Sequence, residues 1–300
     1  MSKYHTPVML NECIEGLSIR PEGTYVDVTF GGGGHSREIL KHLGPEGQLL
    51  AFDQDVDAQQ NLIDDDRFIF ADQNFRYLKN FCRLHRAIPA DGILADLCVS
   101  SYQFDQAERG FSIRFDAELD MRMNQSSGIS AKDVINNYTE AELHRIFGIY
   151  GEIQNAKSLA NTIVTARLNG SINTVADLKN AISARIPKGK ENKYLAQVFQ
   201  ALRIEVNQEL EALKDFLVQS AEVLVSGGRL VVMSYHSLED RLVKNFIAKG
   251  KFSGEVEKDF FGNDQKPFDA VSRGAITASA EEIESNNRAR SAKLRIAVKK

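Results

Sequence analysis

The sequence predicts an α/β protein, a parallel Rossmann-like sheet wrapped by helices and interrupted by an inserted helical domain. Two observations carry this. Through its first hundred residues the chain alternates short β-branched or apolar runs with segments whose apolar residues recur at helical spacing. After Leu97 the alternation stops for about a hundred residues, and strand-like runs return only near the C-terminus.

Taken in order, residues 24–29, 48–53, 67–71 and 92–97 read as strands, with helices at 35–43, 56–63 and 75–84 between them. The interruption reads first as loop and then as helices at 141–147, 155–168, 175–184 and 199–224. The strand theme resumes with Gly227-Gly228 as a turn, a strand at 229–234, a helix at 238–248 and alternating residues at 293–298. Residues 250–280, rich in Gly, Asp and Lys, read as a largely exposed connection. The expected division is a sheet domain from 1–104 and 208–300, with 105–207 as an inserted helical substrate-recognition domain.

Composition excludes several classes. With 43% hydrophobic and 26% charged residues the chain is ordinary globular protein. No apolar run approaches the roughly 20 residues that cross a bilayer, and no cationic-then-apolar leader opens the chain, so a cytoplasmic protein without membrane attachment is expected. Cys13, Cys82 and Cys98 match neither a disulfide framework nor a zinc site and are expected as buried reduced thiols, with no metal. The net charge of −4 hides a gradient: from Asn286 onward there are basic residues, Arg288, Arg290, Lys293, Arg295, Lys299 and Lys300, and no acid. A second cluster, Lys179, Arg185, Lys188, Lys190 and Lys193, is opposed only by Glu191. Such runs are by default solvated surface; here phosphate contacts are the favoured reading, with the second cluster a mobile phosphate-binding loop.

The run Val26-Asp-Val-Thr-Phe30 followed by Gly31-Gly-Gly-Gly34 and a helix is a strand, a glycine turn and a helix N-terminus, which lets a ligand approach the backbone and favours an anion. Alone this is weak, since a glycine turn after a strand is often only a turn. A dinucleotide fingerprint is disfavoured, because counting six positions from Gly31 or Gly32 reaches Ser36 or Arg37 where the third glycine belongs. Asp53 closes the second strand about twenty residues on, where a carboxylate can take both hydroxyls of a ribose; Asp55 and Asp57 read as helix-start residues. Phe75 lies beyond the third strand, where an adenine contact competes with plain packing. Asp96 ends the fourth strand, near the point where the order of an open α/β sheet reverses.

The chain resembles, over nearly its whole length, the MraW (RsmH) family of small-subunit ribosomal RNA cytosine-N4 methyltransferases. The stretches that carry the resemblance are His5-Thr-Pro-Val, Asp27-Val-Thr-Phe-Gly-Gly-Gly-Gly-His-Ser36, Arg109-Gly-Phe-Ser, Leu119-Asp-Met-Arg-Met123, Tyr150-Gly-Glu152, Phe199-Gln-Ala-Leu-Arg-Ile-Glu-Val-Asn-Gln-Glu-Leu210, Ser234-Tyr-His-Ser-Leu-Glu-Asp-Arg241 and Arg290-Ser-Ala-Lys-Leu-Arg295. The resemblance implies a class I S-adenosylmethionine-dependent methyltransferase sheet with a helical insertion. It also implies S-adenosylmethionine as cofactor, lined by Gly33, Gly34, His35, Asp53, Phe75, Asp96 and Gln103, and as substrate a cytidine in the decoding region of 16S ribosomal RNA within the small subunit. Departures are Cys98 where the family usually has glycine, Tyr235 where phenylalanine is usual, the run from Lys193 to Val198 where a His-Pro-Ala-Thr-Arg type sequence is common, and Arg288 where proline is usual.

Catalytic roles are expected for Asp96 and Ser100 as acceptors of the amine hydrogens, and for His236, for which a structural reading between strand and helix stands level with a catalytic one. Arg241, Arg288, Arg290, Lys188, Lys190 and Lys193 are the expected RNA contacts. The competing functional classes are a non-enzymatic ribosome-assembly factor that keeps the fold and a nucleotide-dependent oxidoreductase. The sequence leaves open whether the chain works alone or as a homodimer.

Overall fold

The computed structural model describes residues 7–98, 107–126 and 128–300. They form two compact units, one from the chain up to Cys98 together with Leu210–Lys300, the other from the segment that ends at Glu209.

The first unit is built on a seven-stranded sheet in the order β3-β2-β1-β4-β5-β7-β6. Its strands are β1 (Thr24–Asp27), β2 (Gln48–Asp53), β3 (Phe68–Asp72), β4 (Ala90–Asp96), β5 (Leu224–Ser234), β6 (Phe268–Ala270) and β7 (Lys293–Lys299). β1 to β5 are mutually parallel where they pair, and β7 runs antiparallel to both β5 and β6. This is the class I methyltransferase arrangement, and its order reverses between β1 and β4.

Burial on both faces explains the apolar strands. In β5, Leu230 and Val232 face one layer of side chains while Val231 and Met233 face the other, the period of two that a pleated strand imposes. One layer holds Leu213, Phe216 and Leu217 of helix Glu209–Val223 and Val243, Phe246 and Ile247 of helix Ser237–Lys249. The other holds Cys13 and Leu17 of helix Leu10–Leu17 and Ile39 and Leu40 of helix Gly34–His42.

The second unit is helical, with a core that includes Phe147, Leu159, Ile163, Leu178, Val198 and Leu202. Three of its helices, Ala131–Asn137, Glu140–Ile149 and Val175–Ile182, start with reciprocal capping boxes, Ser130 with Asp133, Thr139 with Glu142 and Thr174 with Asp177.

Several expectations are corrected. The stretch read as one helix at 199–224 is two, Glu191–Asn207 and Glu209–Val223, broken at Gln208, whose φ is 50°. Asn207 fixes that break by accepting from the Met123 amide at 2.7 Å and donating to the Met121 carbonyl at 2.8 Å. Gly227-Gly228 is not a turn between elements but lies inside β5, where the register against β4 shifts. Residues 56–63 make a short 3₁₀ helix, Val56–Asn61, rather than an α-helix. The connection at 250–280 is largely exposed, as read, but it also contributes β6, whose Phe268 is fully buried.

Phe216 is fully buried against the sheet and meets Phe75 edge-on with ring centroids 5.6 Å apart. Phe216→Ala should therefore destabilise this unit by about 3–5 kcal/mol, read from the denaturant midpoint, while Val218→Ala on the exposed side of the same helix should move it by less than about 0.5 kcal/mol.

Candidate active site

The parallel strands all present their carboxyl ends to one edge, and four of the five end on an aspartate; Asp72 on β3 is exposed, whereas three are buried or half-buried: Asp27 on β1, Asp53 on β2 and Asp96 on β4. Each is kept there by donors. Asp27 is buried and accepts from the Ser36 hydroxyl at 2.7 Å and the Thr29 amide at 3.1 Å. Desolvation still holds its carboxyl above the ordinary range, with His35 pulling the other way.

Asp53 accepts from the Gly31 amide at 2.7 Å through one oxygen and from the Asp55 amide at 2.9 Å through the other. Each oxygen retains a further lone pair. Desolvation pushes this carboxyl up to about 6. Asp55 caps the following 3₁₀ helix by accepting from the Asp57 amide, as its placement after the strand suggested.

The glycine turn shapes the space beside Asp53. Gly33, at φ 74°, caps helix Gly34–His42 and no side chain makes a capping hydrogen bond to the helix start. A methyl at Gly33 would stand 2.8 Å from the Arg37 guanidinium and 2.9 Å from the Phe30 ring; one at Gly34 would stand 2.3 Å from the Pro7 ring. Only glycine permits this packing. Over Gly31 the space is open.

Asp96 is the most connected of the three. Its amide donates to the Thr29 hydroxyl at 2.7 Å. Its Oδ1 accepts from the Tyr235 hydroxyl at 2.8 Å and from the Cys98 amide at 3.2 Å. Its Oδ2 lies 3.9 Å from His35 Nδ1, beyond hydrogen-bond range. The His35 ring is buried and its Nε2 sits 3.1 Å from the Val8 carbonyl.

His236 lies just before helix Ser237–Lys249, next to Tyr235, with Nε2 3.1 Å from Glu239 Oε1. Buried Glu239 also accepts from the amides of Tyr235 and His236. Glu239 thus holds the strand-to-helix turn through two backbone amides, while neither buried ring nitrogen of His236 makes a hydrogen bond among the described residues. Phe75, half-buried, opens the short helix after β3. Ser100 and Gln103 lie outside the described residues.

Burial pushes the Cys13 thiol well up and the Cys82 thiol to about 12, in line with inert reduced cysteines, whereas Cys98 is half-buried rather than buried. Lys188, Lys190 and Lys193 are exposed in the helical unit; Arg241 and Arg290 are exposed and Arg288 half-buried in the α/β unit. The tail is not free of acids once folded: Asp240 takes Arg295 at 2.7 Å and Lys293 at 3.4 Å, and Asp269 lies 3.9 Å from Lys300. Acids distant in sequence supply what the tail's own residues lack.

Asp27, Thr29 and Tyr235 were not singled out as site residues by sequence reasoning. For the first two a signal existed, an acid and a hydroxyl at a strand end before a glycine turn. For Tyr235 it existed only as a departure from the resembled family.

The model of the MraW methylase family matches residues 2–300. A ribosomal RNA small subunit methyltransferase H from Christiangramia forsetii is 57% identical over 299 residues, covering 100% of this chain and 99% of that protein. The protein of the same name from Cytophaga hutchinsonii is 60% identical over 296 residues, covering 98% and 99%, and that from Flavobacterium johnsoniae 57% over 297 residues, covering 99% and 98%. Agreement of this extent, on a class I methyltransferase sheet with its acidic carboxyl edge, means that the chain belongs to the MraW methylase family.

Proposed function

We propose that this methyltransferase acts on the exocyclic N4 amine of a cytidine in the decoding region of 16S ribosomal RNA, presented within the small ribosomal subunit. The relatives' shared name supports the ribosomal RNA of the small subunit as substrate. The observation that carries the chemistry is Asp96, a carboxylate at the switch point of the sheet with one oxygen bonded twice and the other turned away from any close donor among the described residues.

As a methylase of this family the chain uses S-adenosylmethionine, which supplies a methyl group already activated on a sulfonium. The donor set suits it: uncapped helix amides for a carboxylate, a strand-end carboxylate for vicinal hydroxyls, and a half-buried aromatic for a flat base. In this reading the amides at Gly33, Gly34 and His35 hold the amino-acid carboxylate, Asp53 takes the ribose hydroxyls, Phe75 packs on adenine, and Gln103 lies with them. The cytosine amine is a poor nucleophile because its lone pair is delocalised into the ring. Asp96, with Ser100, accepts the amine hydrogens and so aims the lone pair at the methyl carbon. Asp96 then takes up the proton released as the nitrogen–carbon bond forms, and no thiolate adduct or metal is needed. His236, next to Tyr235, contacts the extruded base in this reading. Residues 105–207 form the substrate-recognition domain, and its exposed Lys188, Lys190 and Lys193, with Arg241, Arg288 and Arg290, contact phosphates while the target base is extruded.

Small subunits from a strain lacking this activity should accept methyl from S-adenosylmethionine, and mass spectrometry of the digested RNA should find it on the exocyclic nitrogen. Asp96→Ala should nearly abolish transfer and Cys98→Gly retain it; a carbon-5 product, or loss of activity in folded, cofactor-binding Cys98→Gly, overturns the mechanism. Asp53→Ala should weaken cofactor binding roughly ten- to a hundredfold. Because ribose hydroxyls donate best to the ionised carboxylate, affinity should fall as pH drops through about 6, a dependence that Asp53→Asn should flatten in calorimetry. Neutralising Lys188, Lys190 and Lys193 together should lower subunit affinity and flatten its salt dependence by up to about one log unit for each phosphate no longer neutralised; an unchanged slope marks a merely solvated surface.

A further inference from the structure

We propose that Tyr235 is a positioning residue, whose hydroxyl holds the Asp96 carboxylate rotated so that Oδ2 faces the substrate amine. The inference rests on the reading of Asp96 as the amine's acceptor. It concerns a residue that this chain has where the resembled family usually carries phenylalanine, and the phenol therefore adds a hydrogen bond that a phenylalanine cannot make.

The geometry is specific. A carboxylate at a strand end can swing about its Cβ–Cγ bond unless its oxygens are held. Here Oδ1 is held by two donors from different elements, the Cys98 amide at 3.2 Å, just beyond β4, and the Tyr235 hydroxyl at 2.8 Å, just beyond β5. β4 and β5 are register neighbours, Asp96 pairing with Met233, so the phenol reaches across one strand spacing from a rigid origin. The Tyr235 backbone is itself fixed, its amide donating to buried Glu239 at 2.9 Å. Tyr235 is also a committed donor: burial and the Asp96 charge push its own ionisation far above the ordinary phenol range. With Oδ1 so occupied, Oδ2 is the oxygen left to take a hydrogen from the amine.

The other ionisable groups that face Asp96 are His35 from helix Gly34–His42, Asp27 from β1, Cys13 from helix Leu10–Leu17 and its own near neighbour Cys98. Tyr235→Phe leaves all of them in place. The expected result is a tenfold or greater fall in kcat with little change in the KM for S-adenosylmethionine. In the Asp96→Asn background the same change should have no further effect on kcat, since the partner is gone.

A readout independent of turnover separates this inference from the proposed function. The chemical shift of the Asp96 carboxyl carbon, which responds to the hydrogen bonds its oxygens accept, should move in Tyr235→Phe relative to the parent protein, whatever RNA is or is not methylated. An unmoved carboxyl resonance in folded Tyr235→Phe, or an unchanged kcat, overturns the positioning role. Absence of any methyl transfer by the parent protein, with the resonance moved as expected, instead overturns the substrate reading.

Discussion

Everything at the carboxyl edge depends on keeping negative charge where water is scarce. Asp27, Asp53 and Asp96 end neighbouring strands, and a buried carboxylate costs several kcal/mol unless hydrogen bonds repay its lost hydration. The chain offsets that cost with donors from the adjoining turns and a neighbouring strand end: Ser36 and Thr29 for Asp27, the Gly31 and Asp55 amides for Asp53, and Tyr235 with the Cys98 amide for Asp96. The compensation is partial at Asp27 and Asp53, whose carboxyls are held above the ordinary range. That residual cost leaves Asp53 ready for further donors, such as sugar hydroxyls.

The glycine turn is a consequence of the same edge. The Gly31 amide must reach Asp53 while the backbone reverses into a helix, and φ values of 50° at Gly31 and 74° at Gly33 let it do so. The helix that follows has no side-chain capping hydrogen bond at its first turn. An anion-seeking helix start and an acidic strand end are thus brought side by side, which is a polarity suited to a zwitterionic, hydroxyl-bearing ligand. His35, inside this turn, uses its ring to tie the helix to the Val8 carbonyl.

The helical unit is organised by different means. Its helix starts are written locally, as hydroxyl and acid three residues apart, and its core is a single apolar cluster. Its last helix ends where Asn207 is tied to the backbone at Met121 and Met123, more than eighty residues earlier in the chain.

The sequence by itself determined the features that rest on local period and local chemistry. Alternation of apolar residues marked the parallel strands, helical spacing marked most helices, and the glycine turn between an acidic strand and a helix marked the ligand edge, with Asp53 and Asp96 at their strand ends. What it could not determine was set by groups distant along the chain. The break at Gln208 within an apparently continuous helical pattern follows from long-range bonds of Asn207. β6 is a strand only because β7 offers an edge for it, and three residues of it carry too little pattern to be seen alone. The basic tail looked uncompensated until folding brought Asp240 and Asp269 to it. Tyr235 was a lone departure in the sequence, and only the pairing of β4 with β5 put its hydroxyl on Asp96, because a strand's neighbour is chosen by the sheet and not by the residues beside it.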